Sequence, residues 1–299
     1  MQRHSGWNIN RRVLLLGAGV ISISFLLAYL LVFILAPSFF ESWQNKITDG
    51  LFNLRYTLAG RGEISPYIIH VVLNDTSYHT LGSTHNDNNL YYRVLKTISE
   101  AGVKATACDM FFSKDNRNPD NNLLLEQVNR QSNIYFPVIL YPDYYTIGFD
   151  RDAISTINEA YIEKNLWYPR ILKNGKPIDA GMIVAPFATL SEHAKGLGHI
   201  TCEPDSDGIN RRFTLLYKYK DGYFPALMLR MLTDVLKVSP SGIEVSFGRY
   251  IRLPDAQCGE FVRKDIIIPI DSHGRMTINF AGPWNNSFIH FPIHNILKA

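Results

Sequence analysis

Two aspartates carry most of the chemistry this sequence offers. Asp75 closes the apolar run YIIHVVLN (67–74), and Asp109 ends the run VKATACD (103–109). Runs of this length and make-up read as buried strands, and in open α/β sheets ligands gather at the carboxyl ends of parallel strands. Paired acids at such an edge can hold a divalent metal, assist phosphoryl transfer, or accept hydrogen bonds from a ligand. Short polar side chains after a strand also cap the helix or turn that follows, and that structural role competes at both positions. An aspartate nucleophile for phosphoryl transfer usually has a second acid two residues on, whereas Asn74-Asp75-Thr76-Ser77 has one. Asp75 and Asp109 are therefore candidate ligand contacts, and no residue is assigned a catalytic role.

The third candidate contact is Arg211, in Asp205-Ser206-Asp207-Gly208-Ile209-Asn210-Arg211-Arg212. The first four residues resemble half of a calcium loop. Such a loop also needs spaced downstream oxygens and a glutamate about twelve positions from its start, and the strand-like RRFTLLYKY fills that space. A glycine turn followed by a strand whose arginines meet nearby carboxylates is the simpler account. His290 and His294 have the spacing of a helical metal pair, but Pro292 between them argues against a helix. No nucleotide-binding, zinc-protease or nucleophile-elbow motif appears, and neither a cofactor nor a metal is expected. Cys108, Cys202 and Cys258 are too few for a disulfide framework, although Cys202 and Cys258 could pair in an oxidising compartment.

The elements that must position these residues follow from periodicity. Residues 41–58 place Trp43, Ile47, Leu51, Leu54 and Leu58 on one stripe of an amphipathic helix. After strand 67–74, residues 89–101 show a helical stripe of Leu90, Val94, Leu95, Ile98 and Ala101, closed by Gly102. Strand 103–109, a helix from about Asp120 and strand 133–140 come next. Strand–helix–strand–helix–strand with apolar runs predicts a largely parallel central sheet covered on both faces. The Tyr- and Asp-rich segment 141–180 reads as an irregular insertion. Beyond it come helix 186–195, strand GLGHITC, a helix over 225–236 that is apolar almost all round and so should be deeply buried, and a series of short β segments. The expected class is α/β: an N-terminal transmembrane helix, then a three-layer domain with a largely parallel central sheet and a β-rich C-terminal part.

Composition supports a sizeable core, with 46% of the 299 residues apolar. Residues 13–36 form an uncharged run that, as a helix of roughly 36 Å, spans a hydrocarbon core of about 30 Å. It is too long for a signal peptide's apolar stretch, and Ile34 and Pro37 spoil the one cleavage site after Ala36. Arg3, Arg11 and Arg12 precede it without an acid, so the positive-inside rule places residues 1–12 in the cytoplasm and 37–299 outside. Three of the 30 basic residues lie before the span, which leaves 27 bases against 27 acids in the body. That balance removes most of the support for a nucleic-acid binder, which would carry its basic excess on the folded body.

Several segments share their order with a known module. They are Asp49–Arg55; Leu73-Asn74-Asp75-Thr76-Ser77 with Leu81-Gly82; Ala101-Gly102-Val103-Lys104-Ala105 leading to Cys108-Asp109 and Phe111-Phe112; Gly196–His199; Asp207–Arg212; and Ile278-Asn279-Phe280-Ala281-Gly282-Pro283. Together they resemble the type 2 CHASE domain, over about residues 40–299. The chain departs from that pattern at Asn74, where two adjacent acids are usual, and at Ser83–Asn89, which replaces a Trp-Pro-Arg-like stretch. The resemblance implies an extracytoplasmic sensor on a bacterial plasma-membrane receptor, itself not an enzyme. Its output would be a cyclase, a histidine or serine/threonine kinase, or a diguanylate cyclase. A small molecule or a second protein would be the signal, and the receptor would be a homodimer. Two other functions compete: a membrane-tethered α/β metal-dependent hydrolase or phosphotransferase using Asp75 and Asp109, and a cell-envelope interaction protein.

Overall fold

The computed structural model describes residues 11–35, 37–60, 65–83, 87–112, 121–145, 159–259, 261–282, 284 and 288–298. The chain divides into two compact units, Met1–Glu63 with Ser206–Ile209, and Ile64–Asp205 with Asn210–Ala299.

In the first unit the uncharged run forms α1 (Arg11–Tyr29), continued by a π-helical stretch, Leu30–Leu35. Residues Arg12–Val32 make one helix long and apolar enough to cross a membrane, and none of that surface is buried. A core helix of a soluble protein would hide most of it. Helix α2 (Pro37–Ala59) follows. A proline is tolerated at a first helical position, where the missing N–H has no intrahelical partner. The stripe expected on this helix is there, and Trp43, Ile47, Leu51, Leu54 and Leu58 are all exposed.

In the second unit β1 (Ile69–Val72) runs into α3 (Asp75–Leu81), and α4 (Asn88–Glu100) precedes the two-residue strand β2 (Thr106–Ala107). Asp87 caps α4 by accepting from Leu90 N at 3.1 Å. Gly102, with φ at +71°, ends it in the left-handed conformation glycine supplies. After α5 (Asn121–Gln131), strand β3 (Ile134–Pro142) is buried almost throughout, as an unbroken apolar run requires. Helix α6 (Glu159–Lys164) leads to β4 (Arg170–Lys173) and β5 (Ala180–Val184), then α7 (Ala188–His193) and β6 (Gly196–His199). Leu124, Val128, Phe136, Val138, Leu140, Leu190 and Leu197 join Tyr217 and Phe224 in the largest apolar cluster.

The sheet differs from the expected one. Strand β3 pairs in parallel with β2 and β6 but antiparallel with β5, so the sheet is mixed. Strand β1 does not join it. It pairs in parallel with β14 (Ile289–Pro292), the strand before the terminal helix α9 (Ile293–Lys298). Segment 141–180 is also corrected. Residues 146–158 lie outside the described ones, but the remainder holds helix α6 and strand β4 and ends where β5 begins.

Another sheet runs β12-β11-β10-β4, with β10 (Glu244–Ser246), β11 (Tyr250–Gln257) and β12 (Arg263–Pro269). Its core holds Trp167, Ile243, Val245, Phe247, Ile251 and Leu253. Strands β7 (Arg212–Thr214) and β13 (Arg275–Thr277) pair antiparallel, and β8 (Leu216–Tyr219) and β9 (Gly222–Pro225) form a hairpin. Helix α8 (Leu227–Val235) follows. It buries Leu227, Leu229 and Thr233 but leaves Met228, Leu232 and Val235 exposed, contrary to the deep burial expected of it. Composition signalled an apolar helix; only packing decides how many of its faces find a partner.

Strand β6 meets the start of α8 backbone to backbone. A Cβ on Gly198 would stand 2.3 Å from Leu227 Cα and 2.6 Å from its nitrogen. Gly198→Ala is expected to lower the free energy of unfolding by about 3 kcal/mol, because the obstacle is main chain that cannot rotate away. Gly196→Ala meets only the Arg230 guanidinium, at 2.8 Å, and should cost less. Urea denaturation of both variants checks the contrast, and equal losses would refute it.

Candidate functional site

The residues around Asp75 are arranged by helix α3. Asn74 is its N-cap, with φ −119° and ψ 172°. The Asn74 Oδ1 accepts from Ser77 N at 2.9 Å and from Ser77 Oγ at 2.8 Å. Such a cap is worth about 1 kcal/mol. Ser77 is fully buried, and its hydroxyl also lies 2.9 Å from Nδ1 of His294 in α9. Capping thus falls to Asn74, while Asp75 occupies the first turn with its side chain exposed, where a negative charge suits the helix N-terminus. Asp109 is likewise exposed, at the centre of a tight turn closed by Met110 N donating to Cys108 O at 2.8 Å.

Leu73, two residues before Asp75, and Cys108, next to Asp109, pack on the same apolar cluster. Their strands are nevertheless not hydrogen-bonded neighbours, because β1 pairs with β14 and β2 with β3. The shared strand edge expected of Asp75 and Asp109 is therefore corrected. Among the described residues no group of three or more His, Cys, Asp or Glu side chains is placed to hold a metal ion. The metal-dependent alternative finds no such ligand set there.

Arg211 sits in the more elaborate place. The Asp205 carboxylate, with its side chain 4% exposed, takes Arg211 Nη1 at 3.2 Å on one oxygen and Arg212 Nη2 at 2.8 Å on the other. Arg211 is 7% exposed and Arg212 26%. The main chain of this stretch is fixed as well. Ile278 N donates to Arg211 O at 2.8 Å, and Arg212 stands opposite Thr277 where β7 meets β13. Beside it, Glu203 accepts from the Tyr144 hydroxyl at 2.7 Å and from the buried Tyr217 hydroxyl. Burial first, and the bond to Glu203 second, hold the Tyr217 phenol far above its ordinary range, so it stays a neutral donor.

The turn inside this motif has the form the sequence suggested. Gly208 has φ +81°, and Ile209 N donates to Asp207 Oδ1 at 3.2 Å. The turn Ser206–Ile209 is grouped with the first unit, while Asp205 and Arg211 belong to the second. Sequence reasoning named Arg211 and foresaw a carboxylate partner, but not that Asp205, read as a turn residue, would be that partner. Glu203 carried no local signal at all.

His290 and His294 fall on different elements, the strand β14 and the helix α9, which agrees with the weight given to Pro292. All three cysteines are free thiols, so the suggested Cys202–Cys258 pair is not formed. Burial, with Asp109 second, raises the Cys108 thiol to about 12, which keeps it protonated and inert.

No curated protein and no solved structure matches the chain. A family profile does: the CHASE2 domain, over residues 24–298. CHASE2 domains are extracellular sensory domains of signalling receptors. A match that begins inside the apolar helix and ends one residue before the last places this chain in the CHASE2 domain family.

Proposed function

We propose that the chain is the sensory input of a bacterial transmembrane receptor, with residues 1–12 cytoplasmic, 13–36 in the plasma membrane and 37–299 outside. The observation that carries this is the continuity of the CHASE2 match with the helix Arg12–Val32, long and apolar enough to cross a membrane. Arg3, Arg11 and Arg12, with no acid among them, favour the cytoplasmic side for the N-terminus. The signal is a small molecule or protein whose affinity differs between two arrangements of the ectodomain, since only differential affinity can shift such an equilibrium. Asp75, Asp109 and Arg211 are its candidate contacts. The output is a cyclase or kinase.

The receptor acts as a homodimer. Ile47, Leu51, Leu54 and Leu58 recur at alternating four- and three-residue steps, the spacing of a coiled-coil seam, and all are exposed. Two copies anchored in the same sense present these stripes in parallel.

One experiment on spheroplasts tests both points. Exposed Cys258 of the full chain should react with a membrane-impermeant maleimide before lysis, and Cys258→Ser should abolish that exposed-site labelling. Labelling that appears only after lysis would put the body in the cytosol and defeat the assignment. In the same membranes Leu54→Cys should form an oxidised dimer, whereas a persistently monomeric Leu54→Cys would refute the seam.

A further inference from the structure

Strands β1 and β14 set His70 directly opposite His290, and their Nδ1 atoms stand 3.3 Å apart. The Nε2 of His290 lies 2.8 Å from the Trp284 carbonyl oxygen. A carbonyl only accepts, so Nε2 carries the proton and the Nδ1 of neutral His290 is left with its lone pair. Protein metal sites use this division of labour, in which one ring nitrogen binds the ion and the other donates to a carbonyl that fixes the tautomer.

The spacing agrees. Two nitrogens bound to one tetrahedral zinc at about 2.0–2.1 Å stand about 3.3–3.4 Å apart. Aromatic rings enclose the pair: Trp284 stacks on His70 with centroids 5.4 Å apart and lies 4.2 Å from the His290 ring, and Phe288 lies 4.9 Å from His70. These contacts restrict both imidazoles before any ion arrives. Both histidines keep part of their surface open to solvent, which leaves an entry path.

We propose that His70 and His290 form a two-nitrogen site for a divalent transition metal of the zinc, nickel and copper class. Among the described residues no third His, Cys, Asp or Glu completes a set, so water fills the remaining positions and affinity is modest. In the metal-free protein His70 donates its Nδ1 proton to His290. Binding moves that proton to the outer nitrogen of His70, leaving both rings neutral and both Nδ1 lone pairs on the ion. A bound metal would join the first strand of the ectodomain to its last, 220 residues away.

The test is calorimetric titration of the untagged full chain, in detergent near neutral pH, with zinc and nickel chlorides. One saturable site per chain is expected. His70→Asn and His290→Gln should each weaken it by roughly tenfold or more. His294→Asn, whose ring faces Ser77, should leave it unchanged. Cupric ion should quench tryptophan fluorescence, and Trp284→Phe should remove most of that quenching. If a histidine variant loses its native circular dichroism, the folded Trp284→Phe protein decides: quenching that persists in it overturns the site. So does the absence of saturable binding, or binding that survives both folded histidine variants.

Discussion

Asp205→Ala is expected to destabilise the CHASE2 domain by about 3–5 kcal/mol, read as a lower urea midpoint at unchanged slope. The physical cause is what the substitution leaves behind. Arg211 and Arg212 both meet this one carboxylate, and the Arg211 side chain is 7% exposed. Removing the acid takes the counter-charge away from two guanidinium groups, one of them where water reaches it poorly, a larger penalty than the net gain of the pair itself. Arg212→Ala should cost much less, because that side chain is 26% exposed and its loss leaves Asp205 paired with Arg211. Asp205→Asn keeps the shape and part of the hydrogen bonding, so it should fall between the two. A loss below about 1 kcal/mol for Asp205→Ala would show the cluster to be as weak as a solvated surface pair.

What could be seen in the sequence was local. The apolar helix within 13–36 announced itself through length and lack of charge, α4 through the 3.6-residue recurrence of Leu90, Val94 and Leu95, and β3 through an apolar run too short for a helix. Each signal is contained within one element. Pairing is not. The partner of β1 is β14, more than 200 residues on, and no local pattern distinguishes a strand that joins the central sheet from one that pairs with the chain's far end. The shared strand edge expected for Asp75 and Asp109 failed there, since it needed the two strands to be neighbours. Strand β4 was hidden because RILK, on a sheet with exposed faces, lacks the alternation that marks a strand. The candidate sites divide in the same way. Arg211 stood out by charge, but Asp205, Glu203 and the Ser77–His294 contact come together only through tertiary structure. Asn74 shows how a departure from the family pattern can be read physically. An amide accepts the Ser77 N–H as an acid would, so the cap survives although one negative charge is gone.

His199 makes the largest prediction, and its sign can be worked out. The ring is fully buried on β6, stacked on Phe213 at 5.5 Å and edge-on to Tyr217 at 4.8 Å. Neither ring nitrogen makes a well-formed hydrogen bond among the described residues. Burial lowers its pKa from 6.5 to about 3, against a smaller opposing pull from the Thr214 backbone. The folded protein therefore holds His199 neutral across a range in which the unfolded chain would protonate it. Where the unfolded state binds more protons, stability falls as pH falls. Above pH 6.5 the contribution is intact; below it, stability should drop by about 1.4 kcal/mol per pH unit, to a total of about 5 kcal/mol near pH 3. Carboxylates titrate in the lower part of that window, so the comparison is with His199→Leu, in which their effects are shared. The stability of the wild-type chain relative to that variant should be constant above neutrality and decline steadily on acidification. Parallel curves for the two proteins would mean that the buried ring gains a proton as readily as a solvated one. The packing of Phe213 and Tyr217 around it would then be open to water in solution.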